Sequence, residues 1–377
     1  MIVLAAAAPG EVRVAAVDAD GLLDYAVWRP GAPDGVGDLH RGRITARLPA
    51  LAGSFVAIGG ADGFLPDTEA EATPGVGRSG LGRPSEGSVL AVRVTRAAQG
   101  GKGPRLTARL SDADRALAGS GPPALLRRGP DAVQRLAALH PAAPVLADDA
   151  ALVALLRPAL GARVRLVARA FDETVAAEAA ALAETEAALP GGARLHVFPT
   201  PALTAIDLDL GALAGGRGDK AAAHVAANRA ALPGLARQMR LRNLSGAILV
   251  DFAGLSPRRR AALGPDLAAA LAGDPLRPQL LGFTALGLAE IVRGRVHPPL
   301  HELLAGPHAA GLAALRALAA EIAADPRRAP VLRAAPDVVR ALEQDAVARA
   351  DLARRAGRPL MLRADAMLAP LGWHIEE

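Results

Sequence analysis

Residues 191–211, GGARLHVFPTPALTAIDLDLG, read as two strands joined by a Pro-Thr-Pro turn. The second is the more informative. From Ile206 to Leu210 apolar and acidic residues alternate, and in a strand positions i and i+2 share a face. Ile206, Leu208 and Leu210 therefore lie on one side, and Asp207 and Asp209 on the other. Downstream, SGAILVD (245–251) reads as a buried strand that closes on Asp251. A carboxylate at the end of such a strand is costly unless it is paired or bound to a cation. Three acids on two strands can converge on one Mg2+, which takes one or two carboxylates with water and phosphate oxygens and supports phosphodiester hydrolysis. Equally, Asp207 and Asp209 can be solvent-facing strand residues and Asp251 a helix N-cap. Spacing alone leaves both open.

Around this stretch the chain alternates strands and helices. Val12–Asp18 and LLDYAVW (22–28) form a hairpin pattern. GRITARL, SFVAIG, GFLP, Ser88–Ala97 and Arg105–Leu110 are short strands with glycine turns, a pattern that predicts a small barrel. Within it Ala70–Gly87 reads as a mobile Gly/Pro/Ser loop. After Ser111 the pattern turns helical: 130–139, 148–156, a strand at 163–170, then an Ala/Glu helix over Phe171–Leu189. Gly211–Gly218 reads as a flexible loop, and Lys220–Arg242 as a helix that Pro233 kinks or interrupts. Ser256-Pro257 opens a further helix. The segment LLGFTALGLAEIVRGRV (280–296) reads as a strand or turn and then a helix, and from about His308 the pattern is mostly helical until the tail LMLRADAMLAPLGWHIEE (360–377).

The 377 residues carry 43 Lys and Arg against 38 Asp and Glu, a net charge of +5; Lys102 and Lys220 are the only lysines. An arginine-weighted, mildly basic chain is compatible with nucleic-acid binding. With no cysteine, disulfides, thiolate zinc sites and iron–sulfur clusters are excluded. No apolar run reaches the ~20 residues of a membrane span. The N-terminal MIVLAAAAPGEV lacks a basic lead and does not read as a signal peptide, so a cytoplasmic location is expected. Aromatic residues are scarce, with six Phe. On the barrel, Phe55 and Phe64 can stack bases while Lys102, in a Gly-Gly-Lys-Gly turn, meets a phosphate. The same phenylalanines can equally be core.

Taken in order, these segments resemble the ribonuclease E/G family. The resemblance rests on RPGAPDGVGDLHRGRITARLPALAGSFVAIGGADGFLP and GGKGPRLTARLS, then on GGARLHVFPTPALTAIDLDLG, RLRNL (240–244), SGAILVDF and ALGLAEIVRGRVHPPL, and covers roughly 10–110 and 160–305. It implies an α/β protein: a ribonuclease H-like subdomain (1–37 and 111–180) with an inserted OB-fold RNA-binding barrel (38–110), a DNase I-like catalytic domain (181–305) and a helical C-terminal tail (306–377). It implies a Mg2+-dependent endoribonuclease that cuts single-stranded RNA by metal-activated water, leaving a 3′-hydroxyl and a 5′-phosphate. Asp207 and Asp251 fall on the family's metal-holding aspartates. Phe55, Phe64 and Lys102 fall on its RNA-gripping positions, and Asn228, Arg293 and Arg295 on further RNA-contacting ones. Asp209 stands where the family has an asparagine that orients the first aspartate, which adds a negative charge and removes an N–H donor. The family's 5′-monophosphate sensor segment is replaced by helical sequence. Its zinc-linking cysteines are absent, so any homo-oligomer is not zinc-linked. His297 and His301, separated by two prolines, are read as non-metal residues. The alternative function is an RNA-binding protein of the same family without cleavage; a purely structural scaffold would account only for the last seventy or so residues.

Overall fold

In the computed structural model, residues 1–70, 85–211, 220–359 and 361–376 are described. Most of the Ala70–Gly87 loop and nearly all of the Gly211–Gly218 loop lie outside these residues. The chain divides into two compact units, one of Met1–Pro33, Ala132–Gly294 and Pro299–Glu377, the other of Asp34–Asp131 with Arg295–Pro298.

The second unit is a barrel. Five strands, Leu39–Leu48, Gly53–Ala57, Asp62–Pro66, Val89–Arg96 and Arg105–Thr107, form a sheet that closes when the first two pair with each other. Alternate residues point inward and build a core of Ile44, Val56, Ile58, Leu65, Val92, Val94 and Leu106, each contributing about 1.5–3 kcal/mol on burial. The unit runs beyond the expected boundary at 110. Strand Ala124–Arg127 adds to Leu39–Arg41 at the edge, and Asp114 takes hydrogen bonds from Arg93 and, at 2.6 Å, from Arg127.

Among the described residues the first unit contains three sheets. In the five-stranded one the order is Val164–Leu166, Val145–Ala147, Ile2–Ala8, Glu11–Asp18, Gly21–Trp28. Its middle strand, Ile2–Ala8, is buried on both faces: Val3 and Ala5 meet helices Ala132–Leu139 and Ala150–Leu160, while Leu4 and Ala6 share a core with Val175 and Ala179 of helix Glu173–Ala181. A strand covered on both sides reads as a continuous apolar run, which is why IVLAAAA shows no alternation.

The six-stranded sheet has the order Glu186–Ala188, Arg194–Pro199, Thr204–Asp209, Gly246–Phe252, Ala289–Arg293, Gln279–Phe283. One face is packed: Leu195, Ile206, Leu208, Ile248, Val250, Phe252 and Ile291 share a core with Leu232, Leu235 and Met239 of helix Lys220–Leu241 and with Leu267 and Leu271 of helix Gly264–Leu271. The long helix passes through Pro233 as one element. It is tied to the first sheet by Arg240, whose guanidinium forks the Asp24 carboxylate at 2.5 and 2.6 Å.

Three expectations are corrected. The helix of 171–189 ends at Ala181, because Glu186–Ala188 pairs as an edge strand with Arg194–His196. The strand expected first in 280–296 is present as Gln279–Phe283, but the helix expected after it is a second strand, Ala289–Arg293, antiparallel to the first. The C-terminal region is not purely helical. Helices Gly306–Ala324, Pro336–Gln344 and Ala346–Ala356 pack on a three-stranded sheet ordered Leu362–Ala364, Val331–Ala334, Trp373–Glu376. Among the described residues no helix is long and apolar enough to cross a membrane.

Candidate functional site

The alternation read in 206–210 holds: Ile206, Leu208 and Leu210 are buried, and Asp207 and Asp209 are exposed on the opposite face. Strand Thr204–Asp209 runs parallel to Gly246–Phe252, and in that register Asp207 is the direct partner of Asp251. Adjacent strands lie about 4.8 Å apart and registered partners project from the same face. The two carboxylates therefore emerge side by side on the sheet's open face. Two carboxylates with room for water and phosphate oxygens are the donor set Mg2+ prefers, so these residues fit the ion the resemblance implies. Among the described residues no third acid, histidine or cysteine joins them in a metal-binding group.

Asp209 lies on the same strand face as Asp207, two residues on. Its Oδ1 accepts the backbone N–H of Gly211 at 2.8 Å, a local turn bond of the kind short acids make. Asp251 is half exposed, and its Oδ1 forms an ion pair with Nη1 of Arg260.

Behind Asp251 the loop is held from the core side. Asn228, on helix Lys220–Leu241, is fully buried and donates from Nδ2 to the carbonyls of His224 at 2.7 Å and Ala253 at 3.0 Å. The expected RNA contact at Asn228 is thus replaced by a bond that positions the residue two beyond Asp251. Gly254 sits at φ +63°, and a Cβ there would lie 1.9 Å from Nδ1 of His224. Gly254→Ala is expected to destabilise the protein by at least about 1–3 kcal/mol, from the left-handed backbone alone. Chemical denaturation checks this; an unchanged midpoint would show that the helix and loop can separate.

Arg293 is also turned inward. On strand Ala289–Arg293 it is 3% exposed and grips Asp274 through Nε and Nη2, at 2.7 and 3.2 Å, while Nη1 donates to Asn243 Oδ1 and the Leu244 carbonyl. The RLRNL segment is likewise structural: Arg242 is buried, and its backbone carbonyl accepts from Leu300. His297 pairs with Asp34 at 2.6 Å.

On the barrel, Phe55 and Phe64 are cross-strand partners, 6.1 Å between centroids and edge to face. Their strand neighbours Ser54, Val56, Gly63 and Leu65 are buried, so both rings stand on the outer surface. Gly53 makes room for them, since a Cβ there would meet the Phe64 ring at 2.4 Å. Lys102 is exposed in the turn closed by Gln99, and the next strand is fixed to Phe64, whose N–H donates to Pro104 at 2.8 Å. Arg105 is in register with both Phe64 and Arg96. Burial, then the charges of Arg105 and the exposed Arg295, lower the pKa of Arg96. Two aromatic faces and an arginine cluster thus occupy one unit.

Residues 149–296, which carry the acid pair, Asn228 and Arg260, match the sequence profile of the Ribonuclease E/G family. That stretch is similar to the ribonuclease E/G family. Among curated relatives it is similar to "Ribonuclease E" of Nostoc sp., 38% identical over 117 residues, 30% of this chain and 17% of that protein. It is also similar to "Ribonuclease G" of Escherichia coli, 36% identical over 124 residues, 32% of this chain and 25% of that protein. The chain therefore matches a quarter or less of these relatives' length. The matched stretch contains the acid pair but not the barrel. Sequence reading missed Arg260, one of three consecutive arginines with nothing to single it out. It also missed the stacked pair His196 and Phe198, which shares the open face, with His196 in register with Asp207.

Proposed function

We propose that the chain is a Mg2+-dependent endoribonuclease acting on single-stranded RNA in RNA processing or decay. The carrying observation is the registered pair Asp207 and Asp251 on an open sheet face, inside a stretch similar to the ribonuclease E/G family. In this reading the five-stranded sheet is the ribonuclease H-like subdomain, the six-stranded sheet the DNase I-like domain, and the barrel an OB-fold.

Asp207 and Asp251 would hold the metal. When bound, a divalent ion supplies an activated water and neutralises charge at the scissile phosphate. Asp251 is oriented from behind through Asn228 and the Ala253 carbonyl. Phe55 and Phe64 would stack bases, while Lys102, Arg96, Arg105 and Arg295 would track phosphates. Base stacking on an aromatic side chain is worth about 1–3 kcal/mol. Phe55→Ala and Phe64→Ala are therefore each expected to weaken binding of a single-stranded oligonucleotide by about 5- to 150-fold. Fluorescence anisotropy checks this; unchanged affinity in both would remove the barrel from the interface.

The test of the reading is cleavage of a labelled A/U-rich single-stranded RNA with Mg2+ and with EDTA. The second reading, an RNA-binding protein without cleavage, is favoured by one feature, the carboxylate of Asp209 in place of the family's amide. Tight binding without cutting would select it, and Asp209→Asn would then be the variant to assay for restored activity.

A further inference from the structure

The guanidinium of Arg260 lies on the carboxylate that the proposed reading gives to a metal, and the inference that follows rests on that reading. Three consecutive arginines follow Pro257. Arg258 and Arg259 are exposed, but the side chain of Arg260 is only 15% exposed and points back to Asp251. It is held on several sides. Its Nε donates to the Leu255 carbonyl at 2.9 Å, and its backbone N–H to Ser256. Its aliphatic stem lies under the turn at Gly287, φ +83°, where a Cβ would stand 3.0 Å from Cδ of Arg260. Nη1 thereby forms an ion pair with Asp251 Oδ1, a buried oxygen for which no well-directed hydrogen-bond donor lies among the described residues.

This arrangement is more than is needed to satisfy Asp251, whose side chain is 47% exposed and has access to water. An ion pair with a half-exposed member contributes little on its own. A clamped arginine, permanently charged and fixed in direction, instead competes with any cation for the same oxygen. Mg2+ requires carboxylate oxygens in its inner shell at close range, and a fixed positive charge a few ångströms away repels it.

We propose that Arg260 is a positioning residue that sets the affinity of the acid pair for a divalent cation. It neutralises Asp251 in the metal-free protein and must yield Oδ1 before a cation binds there. The acid pair is thereby kept from filling with whatever divalent ion is abundant.

The test is titration of the full chain with Mn2+ alone, followed calorimetrically and by electron paramagnetic resonance. Arg260→Met keeps the stem that packs under Gly287 and removes the charge. It is expected to bind Mn2+ about tenfold or more tightly than the wild type. Arg260→Gln, which retains a donor for Leu255, carries the same expectation. Arg260→Lys keeps the charge and is expected to stay within about threefold of the wild type. Asp251→Asn should abolish the tighter site. Unchanged or weaker Mn2+ binding in folded Arg260→Met overturns the inference, as does loss of fold in both neutral variants, which would make Arg260 a prop. Tighter Mn2+ binding with no RNA cleavage in any protein retires the ribonuclease reading and leaves the inference standing. Magnesium-dependent cleavage with unchanged Mn2+ affinity in Arg260→Met does the reverse.

Discussion

Asp207→Asn and Asp251→Asn are each expected to lower magnesium-dependent cleavage of an A/U-rich single-stranded RNA by about 10³-fold or more, with oligonucleotide binding retained. The size follows from what is removed. A metal at a reacting phosphate is worth several kcal/mol of charge stabilisation, and each 1.36 kcal/mol is tenfold in rate. An amide replaces one of two charged donors with a neutral one, while the shape and the strand pairing are kept. Asp207 is exposed and its backbone lies within a paired strand, so Asp207→Asn should unfold at the wild-type midpoint. Asp251→Asn also separates Asp251 from Arg260, and its melting curve serves as the control. Binding should persist because the aromatic pair and the arginine cluster belong to the other unit. If either variant keeps more than about a tenth of the wild-type rate, the registered acids are not the metal site. Equal wild-type cleavage in Mg2+ and in EDTA would remove the metal from the mechanism altogether.

The parts of this site that depend on one strand were legible in the sequence. The alternation of 206–210 puts Asp207 opposite its buried neighbours because a strand has period two and the helix-covered face favours apolar side chains. The barrel strands could be read for the same reason, and so could the start of the helix at Pro257 after Ser256. What two elements decide together was not legible. That Asp207 meets Asp251 depends on parallel pairing of strands some forty residues apart, which neither strand encodes alone; family resemblance pointed to it, and the register places the two side by side. The helix over 171–189 illustrates the opposite failure. Ala and Glu favour helix through the whole segment, yet Glu186–Ala188 gains a full ladder against Arg194–His196 and an ion pair between Glu186 and Arg194 at 3.0 Å. Local propensity of a few tenths of a kcal/mol per residue loses to that pairing. In 279–293 the deciding residues are Gly282 and Gly287, at φ +150° and +83°. They permit a bulge and a turn in a sequence whose Leu and Ala content otherwise reads as helical. The three C-terminal strands have only three or four residues each, too few for a period to appear.

Arg293 and Arg295 show the same limit with the largest energetic consequence. Two residues apart in one motif, they read alike as RNA contacts, but the structure separates them: Arg293 is buried against Asp274, and Arg295 is exposed in the unit that holds the barrel. Arg293→Ala is expected to lower stability by about 3–5 kcal/mol, the effect of leaving one member of a buried ion pair without its partner. The Asp274 carboxylate is 8% exposed and would keep the Leu276 N–H at 2.8 Å but lose both arms of the guanidinium. The Leu244 carbonyl at the start of the Asp251 strand would lose a donor as well. Against a total of about 5–15 kcal/mol for a typical domain, this is enough to bring the denaturation midpoint close to physiological conditions. Arg293→Lys keeps the charge but not the fork, and should fall between Arg293→Ala and the wild type. Arg295→Ala should leave the midpoint within about 0.5 kcal/mol. It should weaken oligonucleotide binding uniformly across sequences and reduce the slope of affinity against salt by about one ion. Guanidinium denaturation and salt-dependent anisotropy on the same three variants separate the roles. A stable Arg293→Ala with weakened RNA binding would mean that the buried fork opens to the nucleic acid, and the assignment of the two arginines would have to be exchanged.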